Sequence, residues 1–592
     1  MEARRVEKFV ESVLENMPAD WLNMTTHRLD IYNESLAKTE FLRRLEMLFQ
    51  SGDVSPSALE ALPTAYDYIR LGHPLSCLME WSVAKHSGIP SDHVIGFSSK
   101  TTPILAILRR NLLSKRKTLI AYTDKLPTCF DADIVRRVYG YTFELMKVED
   151  VSAIPAFDGS TVLISEHKSI SEVDLSMKVD LGTKVDVFVS LHGHLGSILV
   201  VRGDANASYI ADIQHVRRRE TIAMTPANCL TALQGRAASN DTHAAEANKA
   251  SVLKSVASIT QAGTPALVAS SGLSMQYAIM MGIIDDAQQH HAGKAIKIVV
   301  PPNCYGGTND QARRVAACNQ NVDIVDLHVD GDSDMVQSID AVLSSIAKED
   351  AVAYIIAEIP TNPRVEVPDL RKLKEVLSAE RKTAAGDAAV PPRSVSYVSG
   401  SKFPSGGRCT AGYCVGNKTA KGLMETIGAH LSLCDNEATD LQLEILAEQL
   451  PSMNQRIQDA YRNTRAFVEF IEETLPEAKI NFVSRDLAEH GFTPSVFSLD
   501  LPTKGNTPEE QEAHKRALNL RLIHLMITEI PYESKFCVSY GQLKGCYWTV
   551  PATSTQGTTK ESDKDYIVRA SLSPLMDLEM HKRVFLKFVQ TI

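Results

Sequence analysis

Two stretches of the chain alternate short apolar segments with longer amphipathic ones, and this alternation constrains the fold more than any other feature of the sequence. The first stretch runs from about residue 95 to 205, with apolar segments at 118–122, 161–164 and 185–189. The second runs from about 266 to 416, with apolar segments at 266–269, 296–300, 353–357 and 396–398. Such a rhythm is typical of an α/β fold with a mostly parallel, doubly wound sheet, which we predict for each half.

The pattern changes after about residue 420. A long helical stretch at 440–471, which Pro451 is expected to kink or break, precedes shorter apolar segments mixed with helices. These segments are expected to be strands at 482–483, 495–499, 535–539 and 566–569. We predict three parts, namely a degenerate α/β half at 1–240, a large α/β domain at 241–430 and a smaller C-terminal α+β domain at 431–592.

The two α/β halves resemble degenerate copies of each other. Residues 97–100 (FSSK) parallel 269–272 (ASSG), and 189–193 parallel 398–402. In this pairing Gly193 stands where Lys402 stands in the second half, and Lys100 stands where Gly272 stands. The pairing predicts one lysine-dependent site in the chain, located in the second half.

Charge and cysteine usage exclude several classes of function. The net charge of −10 over 592 residues argues against nucleic acid as a partner, and the basic run at 217–219 is interpreted as a solvated helix face. The ten cysteines lack CxxC pairs, which argues against a zinc site or a disulfide framework and favours a cytoplasmic location. No apolar stretch approaches the length of a membrane span. Apolar residues at helical spacing within 6–14 predict an amphipathic helix that docks on this chain or on an oligomer partner.

Lys402 is the strongest chemical signal. It lies in the sequence SGSKF at 399–403, directly after the apolar run 395–398. Burial favours the neutral form of a lysine, and a neutral amine attacks a carbonyl carbon. Neighbouring hydroxyls and backbone N–H groups can hold a phosphate. This combination suits a Schiff base with pyridoxal phosphate (PLP), and the alternative is a structural lysine at a strand end.

Four further features of the second half and the C-terminal part suit such a site. Ser270 to Leu273 opens a helix after a strand, where free N–H groups suit a phosphate, although an ordinary N-cap looks the same. Tyr305 can stack on an aromatic cofactor or belong to a turn. Asn362 can donate to a phenolate oxygen or belong to a turn. Arg569, at a predicted strand end, can clamp a carboxylate or be exposed.

Taken in order, these motifs resemble the Cys/Met-metabolism family of PLP-dependent enzymes, the cystathionine γ-synthase/γ-lyase group of fold-type I. The resemblance covers about 264 to 580. Its markers are SSG at 270–272, YGGT at 305–308, EIPTNP at 358–363, SGSK at 399–402, SYG at 539–541 and VRASLS at 568–573. It implies a fold-type I large domain followed by a smaller domain.

The resemblance also implies roles for individual residues. Lys402 would carry the Schiff base and, with Tyr305, be a catalytic residue. The phosphate would be held by four residues, Gly272, Leu273, Ser399 and Ser401. Tyr305 would stack on the cofactor ring and Asn362 would contact its oxygen. Arg569 and Ser539 would receive the substrate carboxylate.

A further marker lies in the first half. Residues 68–74, with Tyr68 and Arg70, resemble the family's Tyr-x-Arg-x-x-Asn-Pro element, which reaches the phosphate of a neighbouring subunit. The second half has no copy of it. We therefore expect Tyr68 and Arg70 to complete the second-half site, either within the chain as a pseudo-dimer or across a homo-oligomer. The alternative is a relic turn that only packs.

One family feature is missing. The family places an aspartate, in a strand resembling Asp-Asn-Thr-Phe, between EIPTNP and the lysine motif, where it pairs with the pyridinium nitrogen. Residues 380–393 contain no such strand, and the interval is shorter by about one strand with its loop. Asp387 is the acidic candidate on the lysine side of this gap. Either Asp387 substitutes for the family aspartate, or the segment is truncated and activity is impaired.

The sequence thus predicts a PLP-dependent enzyme acting on a small amino-acid substrate of sulfur metabolism. A cystathionine γ-synthase-like γ-replacement on an O-acyl-homoserine with cysteine is the first choice. γ- or β-elimination from cystathionine or methionine is the alternative within this class. A PLP-fold protein without activity, serving a structural or regulatory role, is the alternative from another class.

Overall fold

The computed structural model describes residues 2–23, 37–63, 65, 69–170, 184–203, 206, 208–235, 242–302, 304–329, 334–361, 367–379, 393–551 and 566–592. The helices of the first half are α1 (Glu2–Asn16), α2 (Ala37–Ser51), α3 (Pro56–Glu60), α4 (Pro74–Ser87), α5 (Thr102–Leu113), α6 (Ala132–Arg137), α7 (Ser208–Glu220) and α8 (Pro226–Leu233). Its strands are β1 (Val94–Phe97), β2 (Thr118–Tyr122), β3 (Glu144–Lys147), β4 (Ser160–Glu166), β5 (Val187–His192) and β6 (Gly196–Val201).

The first half contains one mixed sheet in the order β1-β6-β5-β4-β2-β3. Strands β2, β3, β4 and β5 run parallel, whereas β6 is antiparallel to both β1 and β5. Every residue of β5 and β6 is buried, as expected for strands covered by helices on both faces. The predicted parallel α/β sheet is confirmed here, with an antiparallel edge that the sequence pattern did not show.

The second half repeats this succession. Its helices are α9 (Thr242–Thr260), α10 (Gly272–His290), α11 (Gly306–Ala316), α12 (Met335–Lys348), α13 (Leu370–Ser378) and α14 (Lys421–Leu433). Its strands are β7 (Leu267–Ala269), β8 (Ile296–Val300), β9 (Val322–Asp326), β10 (Val352–Ile355), β11 (Val395–Ser399) and β12 (Gly412–Gly416).

The strands of the second half form two three-stranded sheets, β10-β8-β9 and β11-β12-β7. Their pairing follows that of the first half strand for strand, with β8 parallel to β9 and β10, and β12 antiparallel to β7 and β11. The difference lies at one junction, because β4 pairs with β5 whereas β10 and β11 are not paired within the described ranges. The α/β fold predicted for this half is confirmed, with its strands in two sheets within the described ranges. With a neighbour on one side only among the described residues, β11 alternates between exposed and half-buried residues, whereas β5 is buried throughout.

The two halves share a hydrophobic core. One cluster joins Ile104 and Val189 of the first half to Met281 and Ile298 of the second. Arg109 on α5 forms a buried, bidentate ion pair with Glu220 at the end of α7 and donates to the Tyr277 hydroxyl on α10 at 2.9 Å. The halves thus pack through both apolar and charged buried contacts.

The amphipathic N-terminal helix predicted from the sequence is confirmed as α1. Val6, Phe9, Val10 and Val13 are buried, and the Phe9 ring lies 5.5 Å from the ring of Trp81 on α4. The helix therefore docks on the chain's own first half.

The C-terminal part combines helices with a separate sheet. Its helices are α15 (Asp440–Gln449), α16 (Met453–Thr474), α17 (Arg485–Glu489), α18 (Pro508–Glu529) and α19 (Leu578–Val589). Its strands are β13 (Lys479–Asn481), β14 (Val496–Asp500), β15 (Ser534–Phe536), β16 (Gly545–Pro551) and β17 (Tyr566–Ser571), in the order β13-β14-β17-β16-β15.

This part has the α+β composition that the sequence predicted. Pro451 lies in the short 3-10 turn Leu450–Ser452 that separates α15 from α16, so the predicted break is confirmed. The strand predicted at 482–483 is displaced, because pairing with β14 ends at Asn481. None of the helices among the described residues is long and apolar enough to cross a membrane.

Candidate functional site

Nine of the predicted site residues meet in one cavity of ≈1430 Å³. The cavity is lined by β10, by β11 and by residues of the C-terminal sheet, so it lies at the junction where β10 and β11 are not paired within the described ranges. The nine residues are Arg70, Gly272, Leu273, Tyr305, Ser399, Ser401, Lys402, Ser539 and Arg569. The other three candidates, Tyr68, Asn362 and Asp387, lie outside the described residues.

Lys402 lies in the turn that follows β11. Its Nζ donates to the Ser539 hydroxyl at 2.7 Å and lies 4.8 Å from the centre of the Tyr540 ring. Gln542 fixes this arrangement, because its Nε2 donates to the Ser539 hydroxyl at 3.1 Å and to the Ser401 carbonyl at 2.8 Å. Sequence reasoning missed Gln542, whose one signal is its position directly after the SYG motif at 539–541.

The N-terminus of α10 forms a cradle next to the lysine. Ser271 caps the helix by accepting from the Ser274 backbone N–H at 3.0 Å, so the helix begins at Gly272 with its first N–H groups free of intrahelical partners. Ser399 and Ser401 place their hydroxyls 2.8 Å apart. A Cβ on Gly272 would lie 3.0 Å from the Ser399 Cβ, so the absence of a side chain permits this close approach.

This cradle fits the phosphate of PLP. A helix N-terminus and two hydroxyls supply hydrogen-bond donors and a favourable dipole for an anion. Lys402 is two residues beyond the Ser399–Gly400 pair, within the same turn, where its amine can meet a carbonyl carbon of the same ligand. The described residues therefore fit the cofactor that the sequence predicted.

Tyr305 joins the two halves at the site. It precedes α11, and the Arg70 guanidinium donates to its hydroxyl at 3.3 Å. Arg70 belongs to the first half, so the chain itself brings this residue to the second-half cavity. Burial opposes ionisation of the Tyr305 phenol, but the charges of Arg70, Arg219 and Lys402 lower its pKa to about 8.

The arginines at 217–219 are not a solvated helix face, and that interpretation is wrong. Arg217 is fully buried and pairs with Glu80 at 2.7 Å, and Arg219 is 4% exposed. The Nε of Arg219 lies 3.5 Å from the Oδ2 of Asp310 on α11. The end of α7 is covered by tertiary contacts that no local pattern shows, with Arg217 against Glu80 of the first half and Arg219 against Asp310 of the second.

Arg569 lies inside β17 and not at a strand end, which corrects the sequence prediction. It pairs in register with Ser498 and Trp548, and its guanidinium carbon is 5.5 Å from the Trp548 ring centre. It is 4% exposed, so the exposed alternative is also wrong. Burial lowers its pKa to about 10, although Tyr540 and Glu358 act in the opposite direction. A buried guanidinium in the cavity is a strong partner for a carboxylate.

Glu358 follows β10 and also lines the cavity. Its Oε1 accepts from the Tyr305 backbone N–H at 2.8 Å. Burial raises the pKa of Glu358 to about 7, against the opposing influence of that N–H and of Arg569. Its Oε2 is buried and has no hydrogen-bond partner among the described residues. In the sequence, Glu358 is the first residue of the EIPTNP motif at 358–363.

The corresponding place in the first half is filled differently. Gly193 follows β5 with a φ of 47°, and Lys100 donates from Nζ to the Gly193 carbonyl at 3.2 Å. The Lys100 backbone N–H donates to Asp435 at 2.8 Å. The Lys100 side chain thus reaches the turn that corresponds to the Lys402 turn.

Among the residues described, no group of three or more His, Cys, Asp or Glu side chains is placed to hold a metal ion.

No protein-family model matches the chain, and no curated protein matches it with significance. Several solved structures are similar to it. Apo CalE6, a methionine γ-lyase from Micromonospora echinospora, is 17% identical with a TM-score of 0.41, over 58% of this chain and 86% of that one. Cystathionine γ-synthase from Xanthomonas oryzae pv. oryzae, in complex with cystathionine, is 15% identical with a TM-score of 0.42, over 59% and 88% of the two chains. Cystathionine γ-lyase from Lactobacillus plantarum, complexed with L-serine, is 16% identical with a TM-score of 0.41, over 58% and 85%.

Proposed function

We propose that the chain is a cytoplasmic PLP-dependent enzyme of sulfur amino-acid metabolism, which replaces the γ-substituent of an O-acyl-homoserine with cysteine. One observation carries the proposal. The Lys402 amine, an anion cradle at the start of α10 and the buried Arg569 guanidinium line the same cavity. These are the three functions that an amino-acid enzyme with this cofactor needs, namely attachment, phosphate binding and carboxylate binding.

The chain's own residues divide the work. The phosphate would be held by the Gly272 and Leu273 N–H groups, the Ser399 and Ser401 hydroxyls and the Arg70 guanidinium. Bound PLP supplies an electron-withdrawing ring that stabilises negative charge on the substrate. Lys402, oriented by its 2.7 Å hydrogen bond to Ser539, takes a proton from the substrate and returns it.

Arg569 and Tyr305 act on the substrate and on the ring. Arg569 binds the substrate carboxylate, and its burial strengthens this pairing because water competes less. The Tyr305 ring would pack against the bound cofactor. Its phenol, with a pKa of about 8, can exchange a proton near neutral pH.

A protein of this fold without activity is the second candidate. The observation that favours it is that β10 and β11 are not paired within the described ranges, whereas the corresponding β4 and β5 of the first half are paired. Such a chain would bind PLP through Lys402 or fail to bind it, and in either case would act as a structural or regulatory partner.

Absorbance of the purified protein with added PLP tests the proposal. We expect a visible absorption band in the wild type and in Lys421→Ala, which changes an exposed lysine of α14, and none in Lys402→Ala. Borohydride reduction followed by peptide mapping should place the cofactor on residue 402. A protein that stays colourless with excess PLP refutes the proposal.

The reaction is then tested on substrates. Formation of cystathionine from an O-acyl-homoserine and cysteine supports γ-replacement. Release of ammonia from cystathionine or methionine, without the replacement activity, supports the lyase alternative. A coloured protein inactive in both assays supports the second candidate.

A further inference from the structure

The described residues that line the cavity around Lys402 include more cationic side chains than carboxylates, although Lys294 and Arg393 pair with Asp350 and Asp286 outside the lining. Among its described lining residues the cationic ones are Arg70, Lys294, Arg393, Lys402 and Arg569. Glu358 is the one described lining residue with a carboxylate side chain. Any positively charged nitrogen that a ligand brings into this cavity can therefore pair, within the described residues, with Glu358 alone.

The carboxyl of Glu358 is held for such a contact. Its Oε1 accepts a hydrogen bond at 2.8 Å from the backbone N–H of Tyr305, which also lines the cavity. Its Oε2 is buried and has no hydrogen-bond partner among the residues that the structure describes. A buried carboxylate oxygen without a partner is costly, so this oxygen carries a proton or meets a donor that a ligand provides. Its pKa of about 7 allows either state at neutral pH.

The position in the sheet adds a second reason. Glu358 follows β10, which is not paired with β11 within the described ranges. No strand among the described residues lies between the two to present another acidic side chain to the cavity. An acidic group beside the ring nitrogen keeps that nitrogen protonated, and a protonated ring is what makes PLP a strong electron sink.

We propose that Glu358 is the acidic partner of the PLP ring nitrogen in this chain. The inference rests on the proposed function, because it requires that PLP occupies the cavity. Glu358 thereby has two contacts, a fixed one to the Tyr305 backbone through Oε1 and a ligand-dependent one through Oε2.

The protonation state of the ring nitrogen tests this role directly. The protein is loaded with ¹⁵N-labelled PLP, and the ¹⁵N NMR resonance distinguishes a pyridinium from a neutral pyridine. We expect a pyridinium in the wild type and in the exposed-surface control Glu425→Gln, and a pyridine in Glu358→Gln. The glutamine keeps an oxygen for the Tyr305 N–H while removing the charge. A pyridinium that persists in Glu358→Gln overturns the proposal. A neutral ring nitrogen in the wild type also overturns it, and this outcome is read from the wild-type protein alone.

A second measurement separates ring pairing from a purely structural role. PLP and its deaza analogue, in which the ring nitrogen is replaced by carbon, are titrated into both proteins. A charged hydrogen bond predicts that Glu358→Gln weakens PLP binding by about 10- to 100-fold and changes analogue binding far less. An equal loss for both ligands overturns the proposal, because it shows that Glu358 only supports the Tyr305 backbone.

The outcomes also separate this inference from the proposed function. A colourless wild type refutes both. Loss of the pyridinium in Asp387→Asn, with the pyridinium retained in Glu358→Gln, assigns the role to Asp387 and overturns the inference while leaving the proposed function intact.

Discussion

Arg70 and Tyr305 are 235 residues apart in the chain, yet the guanidinium of one donates to the hydroxyl of the other. A cation this close stabilises the phenolate, and with Arg219 and Lys402 it outweighs the effect of burial. At the scale of single residues, the site is therefore set by which side chains the fold brings together.

We predict that Arg70→Ala raises the pKa of the Tyr305 phenol from about 8 toward the ordinary value of tyrosine, because the nearest stabilising cation is lost. The pKa of Tyr305 is measured by titrating tyrosinate absorbance in the cofactor-free protein. The titration of Tyr305→Phe is subtracted to remove the other tyrosines. Arg408→Ala, on an exposed arginine, serves as the control. An unchanged pKa in Arg70→Ala would contradict the contact.

His73 gives a second prediction at this scale. Its Nδ1 accepts from the Ser76 N–H at 3.2 Å at the start of α4, and its Nε2 donates to the Met224 carbonyl at 2.7 Å. Burial lowers its pKa to about 4, against the opposing effect of that carbonyl, so the native state resists protonation. The unfolded chain takes up the proton near the ordinary histidine pKa of 6.5, and stability is therefore lost as the pH falls from 6.5 to about 4.

His73→Asn keeps a preferred helix cap and removes this titration. We expect it to lessen the acid loss of unfolding free energy by about 3 kcal/mol at most, measured by urea unfolding at several pH values. His194→Asn, on an exposed histidine, should leave the pH profile as it is. An unaltered profile in His73→Asn would show that His73 does not stay neutral.

At the scale of elements, the start of α10 contributes most to the shape of the candidate site. It follows β7 and is placed against β11 by the bare Cα of Gly272, where an added methyl group would touch Ser399 at 3.0 Å. The element therefore serves two requirements at once, a helix N-terminus for an anion and close packing against the strand before Lys402.

Gly272→Ala should weaken PLP binding by about tenfold or more, because Ser399 must move away from the cradle. The matched control is Gly422→Ala in α14, where no atom lies within 4 Å of an added Cβ. This control should stabilise the helix by about 0.5–1 kcal/mol and leave PLP binding unchanged. Spectral titration and thermal unfolding supply the two measurements, and equal PLP affinity in both variants would contradict the cradle.

At the scale of the whole molecule, the repeated strand pairing of the halves favours a duplicated architecture within one chain. One copy offers Arg70, and the other offers Lys402 and the cradle. The first-half equivalent has Gly193 in place of the lysine, contacted by Lys100.

The whole chain should therefore bind one PLP. Mass spectrometry after borohydride reduction should show a single added cofactor in the wild type, even at saturating PLP, and none in Lys402→Ala. Two cofactors per chain would mean that the first half retains a site and that the pairing of Gly193 with Lys402 is wrong.

Local patterns predicted well what depends on local physics. The apolar period identified β2, β8 and β11, the break at Pro451 and the buried face of α1, because these follow from backbone geometry and side-chain spacing. The motif order placed Lys402 and Gly272 in one site. The boundaries at 240 and 430 stay a prediction.

Long-range contacts decided what local patterns did not predict. The roles of Glu358, Gln542 and Arg219 depend on residues that are distant in sequence, such as Tyr305, Ser401 and Asp310. Burial of Arg569 likewise depends on its neighbours in the sheet, since an isolated strand would expose it.

By itself the sequence determined the succession of strands and helices, the position of the lysine and the motif proposed to bind phosphate, since each depends on residues close together in the chain. Only the tertiary structure decided that Arg70 reaches Tyr305 within one chain, that β10 and β11 stay unpaired within the described ranges, and that Glu358 is the described carboxylate of the cavity. The physical reason is that pairing between strands and desolvation of charges are set by the neighbours that folding supplies.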